Sequence, residues 1–399
     1  MKATTRLKSV DWDFADYRGF ATLPSDINSI HWYPAPFVPQ IPAILIQALT
    51  LDHDLILDPF AGTGVTAVEA TRLGRRFVAT DINPAAVNIL RAKFIALKTA
   101  SAPWLERTRK DVESLDLTGF DPRDYCRRNG IANEVERWFE PRTLSQVCSL
   151  HAYATSARSS SEKLLRKVLL SSILNRCCSQ REHYTYITDS CYPKQLHHVD
   201  ATKQFLQQAE LITLASRNFK RQYREMHGEP WKPNGSTVAL GDARNLDFLG
   251  PSSVDAVVTS PPYIGVNDYV RSMRLTWLFF PDQGAAPARA NEIGARRDRT
   301  KPAAYERYMA DMRRAFSEIA RVLKPEGYFC LVIGQSRGKV SRGTAVDQLL
   351  LMLRDEFGFE QEGSFAREIR FRRIQTHGRS EETIFVLRRS TARKGEAYG

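Results

Sequence analysis

The chain has 399 residues, 43% of them hydrophobic and 26% charged, which excludes a disordered or fibrous polymer and leaves room for two ordinary domains or one large domain with an insertion. Lysine and arginine outnumber aspartate and glutamate by 57 to 45, a formal charge of +12, and a surplus of that size suits a polyanionic partner. No apolar run nears the roughly 20 residues of a membrane span, the N-terminal stretch lacks the apolar core of a signal peptide, and six scattered cysteines form no disulfide framework, so a cytoplasmic protein with no membrane attachment is expected.

In chain order, the first buried-strand candidate is LILDPF (55–60), followed by a glycine loop and a helical pattern, VTAVEATRLG, that stops at Gly74. RFVATDI (76–82) is the second strand. From about 100 to 235 the alternation breaks: KLLRKVLLSSILN (163–175) and QFLQQAELITLASRNFKRQYREM (204–226) have helical periodicity and no convincing strand intervenes. This divides the chain into 1–99, a mostly helical insertion at 100–235, and 236–399. Leu164, Leu165, Val168 and Leu169 are expected in the core of the insertion, with Trp138 and Phe139. Strands resume with TVALGDA (237–243) and VDAVVTS (254–260). Residues 303–323 then place Tyr305, Tyr308, Met309, Met312, Phe316, Ile319 and Leu323 on one helical stripe that ends before Lys324-Pro325. YFCLVIG (328–334), SFAREIRFRRI and EETIFVLRR complete the strand candidates. Apolar runs alternating with helices predict an α/β doubly wound, mostly parallel sheet.

Two sites in this frame carry chemistry. Gly62, Gly64 and Ala67 form a Gly-x-Gly-x-x-Ala turn between a strand and a helix, and Asp81 closes the next strand 19 residues after Gly62. Such glycines let the backbone turn tightly beside a ligand while the acidic residue accepts hydrogen bonds from a ribose. The spacing suits NAD, FAD or an adenosyl cofactor alike. The second site is the end of the 254–260 strand, where Ser260-Pro261-Pro262-Tyr263 makes a rigid corner. Proline fixes φ near −65° and removes a backbone donor, so a strand cannot continue through it, and the corner is preorganised to present acceptor oxygens and an aromatic ring.

DPFAGTG and TSPPY together resemble the motifs of the amino-methyltransferases that act on DNA bases. HWYPAPFVPQIPAILIQAL (31–49) is similar to the segment beside the methionine end of the cofactor in that family, LGDARNL (240–246) to its third-strand motif, and MRRAFSEIARVLKPEGYFCLVIGQS to the helix-strand unit after the catalytic strand. The resemblance implies a class I methyltransferase fold with a seven-stranded sheet, and S-adenosylmethionine as cofactor. By it, Pro36, Asp58, Phe60, Gly62, Thr63 and Gly64 line the methionine side, Asp81 and Ile82 the ribose, and Asp242 and Ala243 the adenine. Ser260 and the Pro261 carbonyl would accept the hydrogens of an exocyclic amine, with Pro262 stiffening the corner and Tyr263 stacking on a flipped base. Serine at the first position points to cytosine N4, and adenine N6 is the alternative. An RNA amine methyltransferase, a silent nucleic-acid-binding relative and a nicotinamide oxidoreductase are the remaining readings.

Double-stranded DNA is the expected partner, with a cognate restriction endonuclease as a second. The long connection after the catalytic corner supplies DNA-binding candidates: Asn267 and Tyr269 near the base, and Arg271, Arg274, Arg296, Arg297, Arg299 and Lys301 along the phosphates. The stretch 175–198 mixes Arg, Gln, Ser, Tyr and His and is the other candidate. Its Cys177, Cys178, His183, Cys191, His197 and His198 include no Cys-x-x-Cys pair, so no metal is expected.

Overall fold

The computed structural model describes residues 3–14, 25–34, 37–116, 121–180, 192–281, 284–334, 344–373 and 376–390. Helices α1 (Ala3–Leu7) and α2 (Gln40–Leu49) precede the first strand, β1 (Leu55–Asp58). There follow α3 (Val65–Arg72), β2 (Arg76–Asp81) and α4 (Pro84–Thr99). Helix α4 starts where the Asn83 side chain accepts the Ala85 amide and Pro84, with no amide to satisfy, occupies the first turn.

Five helices fill the next stretch: α5 (Ala102–Glu113), α6 (Pro122–Arg128), α7 (Pro141–Ser156), α8 (Ser160–Cys177) and α9 (Ala201–His227). Among the described residues no strand interrupts them. Their apolar stripes bury Trp104, Leu165, Val168, Leu169, Phe205 and Phe219, while Trp138 and Phe139 are buried from the connection before α7; of the expected core residues Leu164 is only partly buried. These residues do not close a core of their own. They form one continuous cluster with Ile27, Ile30 and Tyr33, with Ala85, Ile89, Ala92 and Ala96 of α4, and with Met273, Leu275, Phe279 and Phe280 beyond the proline corner.

The sheet resumes with β3 (Thr237–Leu240) and β4 (Val254–Thr259). Short helices α10 (Tyr269–Ser272), α11 (Arg274–Phe279) and α12 (Ala285–Asn291) occupy the connection to the long α13 (Ala304–Val322). Then come β5 (Leu323–Gly334), α14 (Thr344–Asp355), β6 (Phe359–Arg373) and β7 (Thr376–Arg389). Strand β5 begins five residues earlier than the apolar run suggests, because Leu323 pairs with Val254 before a register shift leads to the Ala256–Tyr328 pair. The bend needs Gly327, where a Cβ would lie 2.9 Å from the Asp255 carbonyl oxygen.

Strand order is β3-β2-β1-β4-β5-β7-β6, parallel except for β7, which runs antiparallel to both β5 and β6. This is the class I methyltransferase arrangement, a doubly wound sheet with helices on both faces. The chain reverses its direction of growth between β1 and β4, and a crevice opens there beyond the carboxyl ends of the strands. Among the described residues no helix is long and apolar enough to cross a membrane.

Candidate active site

Strands β1 and β4 are neighbours, with Ile56 and Leu57 paired to Ala256 and Val257, so the glycine turn and the proline corner leave the sheet side by side. They are tied together directly: Thr259 Oγ1 donates to Asp58 Oδ1 at 2.6 Å, and the same oxygen accepts the Phe60 amide at 3.2 Å. Both residues are buried. A cavity of about 370 Å³ lies above them, within the range of small-ligand sites.

The glycine turn supplies one wall. Gly62 lies at φ +50°, and its amide donates to Asp81 Oδ2 at 2.8 Å, while Asp81 Oδ1 accepts the Asn83 amide at 2.8 Å. Burial pushes the Asp58 and Asp81 carboxyls up to about 6. Phe60, Thr63, Ile82, Asp242 and Ala243 line the same cavity, as their motifs anticipate. Asp242 is held by Arg244, whose Nε and Nη2 donate to its two oxygens at 2.9 and 2.6 Å, and this hydrogen bonding keeps its carboxyl below the usual range against the opposing cost of burial. Gly64 is placed differently: it is absent from the lining, and a Cβ on it would lie 2.1 Å from Leu90 Cδ1 of α4. A side chain there would collide with α4, so helix packing by itself requires glycine at this position. Pro36 lies outside the described residues.

The proline corner supplies the opposite wall through Ser260, Pro262 and Tyr263. Pro261 is buried and absent from the lining, and the Pro262 carbonyl accepts the Tyr308 hydroxyl at 3.2 Å. Ser260 Oγ stands 3.3 Å from the Tyr263 hydroxyl, which donates to Glu382 Oε1 at 2.9 Å. Arg367 Nη1 donates to the other Glu382 oxygen at 3.2 Å. Burial, helped by the adjacent Glu382 charge, raises the Tyr263 phenol well above its ordinary range, so it stays protonated.

Tyr269 joins the cavity from the connection after the corner. Its ring stacks on Tyr33 with centroids 6.0 Å apart, its hydroxyl accepts from Asn267 Nδ2 at 3.4 Å, and its amide donates to Glu292. Tyr33, Glu292, Glu382 and Arg367 are wall residues that the motifs alone do not reveal. The only signal for Tyr33 is its place in the HWYPAPF segment, and the other three are ordinary charged residues of a loop and two strands.

The lining holds five carboxylates, of which Asp242, Glu292 and Glu382 are ion-paired with Arg244, Arg297 and Arg367, so the surplus negative charge sits at Asp58 and Asp81. This is an interior for a ligand carrying positive charge with hydroxyls to hydrogen-bond, and S-adenosylmethionine, with a sulfonium, an ammonium and a ribose, fits it. Next to the cavity, sharing Val270 with it, is an open groove of about 760 Å³ with the opposite sign. Arg271, Arg274, Arg289, Arg297, Lys301 and Arg307 line it against Asp298 alone among acidic groups.

The cations expected along phosphates divide in two. Arg274 Nε donates to Glu134 at 2.9 Å, tying α11 to the segment between α6 and α7, and Arg297 pairs with the buried Glu292 at 2.8 Å. These two are structural ties that also edge the groove. Lys301 pairs with Asp298 but stays more than half exposed. Arg296 and Arg299 are exposed outside the groove lining, while Arg271 is half-buried within it. In the 175–198 stretch, residues 181–191 lie outside the described residues, His183 and Cys191 among them, and Cys177 and Cys178 are buried at the end of α8.

Comparison with known proteins agrees with this geometry. Over 276 residues, 62% of this chain and 52% of the relative, the chain is 26% identical to the type II methyltransferase M.BsoBI of Geobacillus stearothermophilus. It is 28% identical over 112 residues to the type II methyltransferase M.MjaII of Methanocaldococcus jannaschii, and 46% identical over 52 residues to the type II methyltransferase M2.DpnII of Streptococcus pneumoniae. The aligned chain spans 52%, 21% and 19% of those three proteins respectively. The DNA methylase model for N6 and N4 enzymes matches residues 9–92 and 254–394, more than half of the chain and both sides of the cavity. The chain therefore belongs to the N6/N4 DNA methylase family, whose cofactor is S-adenosylmethionine.

Proposed function

We propose that this chain methylates the exocyclic amine of a base turned out of double-stranded DNA, with cytosine N4 as the acceptor. The observation that carries the reading is the sharing of one acidic cavity by the glycine turn and the Ser-Pro-Pro-Tyr corner. S-adenosylmethionine, when bound, supplies an electrophilic methyl group on a cationic sulfur. The residues of the chain bind and orient. Asp81, with two backbone donors already on its carboxylate, has lone pairs left for ribose hydroxyls, and the surrounding carboxylates favour a cation. An amine on a pyrimidine or purine is a weak nucleophile because its lone pair is delocalised into the ring. An acceptor against its N–H bond turns that lone pair out of the ring plane and stabilises positive charge growing on nitrogen, the role proposed for Ser260.

Extruding a base costs a few kcal/mol, offset by stacking in an aromatic pocket and by phosphate contacts. Tyr263, Tyr269 and Tyr33 provide rings on the cavity wall, and the groove beyond Val270 provides the cations. Serine at position 260, where the resemblance associates aspartate with adenine N6, favours N4. The helices of 100–235 are the proposed target-reading part, and the type II relatives support a place beside a restriction endonuclease. The test is incubation with DNA and methyl-labelled cofactor, digestion to nucleosides and mass spectrometry. N4-methyldeoxycytidine is expected. N6-methyldeoxyadenosine would move the acceptor to adenine, and label in RNA but not in DNA would overturn the reading.

A further inference from the structure

Ser260 carries a hydroxyl, which donates as readily as it accepts. The proposed chemistry needs it to accept, because an amine turns hydrogens outward along its N–H bonds. A hydroxyl that pointed its own hydrogen at the nitrogen would compete for the lone pair that must attack.

The cavity wall contains a device that fixes the direction. The Ser260, Tyr263 and Glu382 oxygens form a line with spacings of 3.3 and 2.9 Å, and Arg367 holds the far carboxylate oxygen at 3.2 Å. The Arg367 and Glu382 side chains are 7% and 15% exposed, so water competes little for these bonds. While Glu382 is ionised the line can run only one way. A carboxylate has no hydrogen to give, so the single phenol hydrogen goes to it. The phenol oxygen can then only accept, and it takes the hydrogen of Ser260. What Ser260 has left for the cavity is lone pairs.

Sheet register builds the line from residues far apart in sequence. Antiparallel pairing sets Glu382 opposite Gly334 on β5 and opposite Arg367 on β6. A Cβ on Gly334 would lie 2.6 Å from Tyr263 Cε2, so the absent side chain at that position is what lets the ring lie over β5 and reach Glu382.

We propose that Glu382, backed by Arg367, is a positioning residue that acts through the Tyr263 hydroxyl to make Ser260 a one-way acceptor for the hydrogen of the target amine. A neutral serine thereby gains the acceptor character that a carboxylate at the same place would have unaided. No proton or electron moves along the line, and its effect is orientation. The inference rests on the function proposed above.

The test uses the full chain and a duplex bearing the site that the parent modifies. Binding is compared with a duplex carrying uracil at the target, or hypoxanthine at an adenine target, which presents a carbonyl acceptor where the amine donor was. Anisotropy titrations in S-adenosylhomocysteine measure the preference, and single-turnover methylation measures the rate. In Glu382→Gln, Arg367 claims the amide oxygen and the amide nitrogen faces Tyr263. The preference for the amine should narrow ~tenfold and the rate should fall ~tenfold or more, both read at saturating cofactor because Glu382 also lines the cofactor cavity. Tyr263→Phe keeps the ring over Gly334, removes only the hydroxyl, and should behave likewise. In a Ser260→Asp background, where the acceptor carries its own charge, adding Glu382→Gln should cost less than ~threefold.

Unchanged preference and rate in both Glu382→Gln and Tyr263→Phe would overturn the proposal. So would an undiminished loss in the Ser260→Asp background, or loss of cofactor binding in Glu382→Gln alongside normal transfer by Tyr263→Phe. A parent that methylates no DNA base would bring down the proposed function and this line with it. An active parent with insensitive variants would remove the line alone.

Discussion

Replacing Gly64 with alanine should destabilise the fold and not merely strip a ligand contact. Gly64 caps α3 in the left-handed region at φ +79°. Its missing Cβ would lie 2.1, 2.8 and 2.9 Å from Cδ1, Cδ2 and Cγ of Leu90, which is 1% exposed on α4. Carbon atoms rest about 3.5–4.0 Å apart, so either the Leu90 rotamer changes or α4 moves away from α3. Left-handed backbone costs an L-residue about 1–2 kcal/mol and overpacking about 1–3 kcal/mol, which places the whole loss at about 2–5 kcal/mol. Equilibrium unfolding in urea should show a lower midpoint with little change in slope. Leu90→Ala alone should cost about 2–4 kcal/mol, and the double variant should be more stable than the two losses predict by about 1 kcal/mol or more, since the added methyl enters space vacated by leucine. A Gly64→Ala chain that unfolded at the parental midpoint yet bound no S-adenosylmethionine would refute the packing argument and return Gly64 to the cofactor.

Ser260→Ala should lower methyl transfer at least ~100-fold while leaving calorimetric cofactor affinity within ~threefold, and Gly334→Ala, which must displace the Tyr263 ring, should show the same split. Asp58 is raised by burial to about 6, so between the ordinary carboxylate value near 4 and that pH the folded chain holds more protons than the unfolded chain. The stability this group contributes is therefore fully present below about pH 4 and is lost as pH rises through 6. Asp58→Asn, whose Oδ1 can still accept from Phe60 and Thr259, should flatten the fall in urea midpoint between pH 4.5 and 7, and an unaltered slope would count against the burial argument. Arg289→Ala and Arg307→Ala in the groove should each weaken DNA binding across sequences and reduce the slope of log affinity against log salt by roughly 0.9. Arg297→Ala should instead cost about 3 kcal/mol in urea unfolding, because it leaves Glu292, 4% exposed, without its ion-pair partner.

What could be read from the sequence is what local chemistry encodes. Gly62 with Asp81, and Ser260 with its two prolines, announce themselves because the turn and the corner each need particular residue types within a few positions. The apolar runs of β1, β2 and β4 are equally plain, since strands covered on both faces admit little else. Glu382 and Arg367 are of another kind. They reach the cavity only through the register of β5, β7 and β6, 119 residues beyond Tyr263 in the case of Glu382, and nothing beside either residue marks it. The ion pair of Arg274 with Glu134, 140 residues away, was hidden for the same reason, since the tertiary fold chooses that partner. Gly64 was legible as a necessary glycine, but the clash that makes it necessary comes from Leu90 on the following helix.

The continuous core that runs from Trp104 and Phe205 through α4 to Phe279 bears on how the helices of 100–235 could be exchanged between relatives. A recognition unit joined only by flexible tethers can be exchanged between relatives by cutting at its two ends. Here a graft with ends near 100 and 235 would shear a packed interior, baring the flank of α4 and unseating α11 along with its Arg274–Glu134 clasp. A workable chimera would have to carry α4 and the 269–280 segment with the helices, so that the graft and the adjoining rim of the cavity, Tyr269 and Val270, travel as one casting.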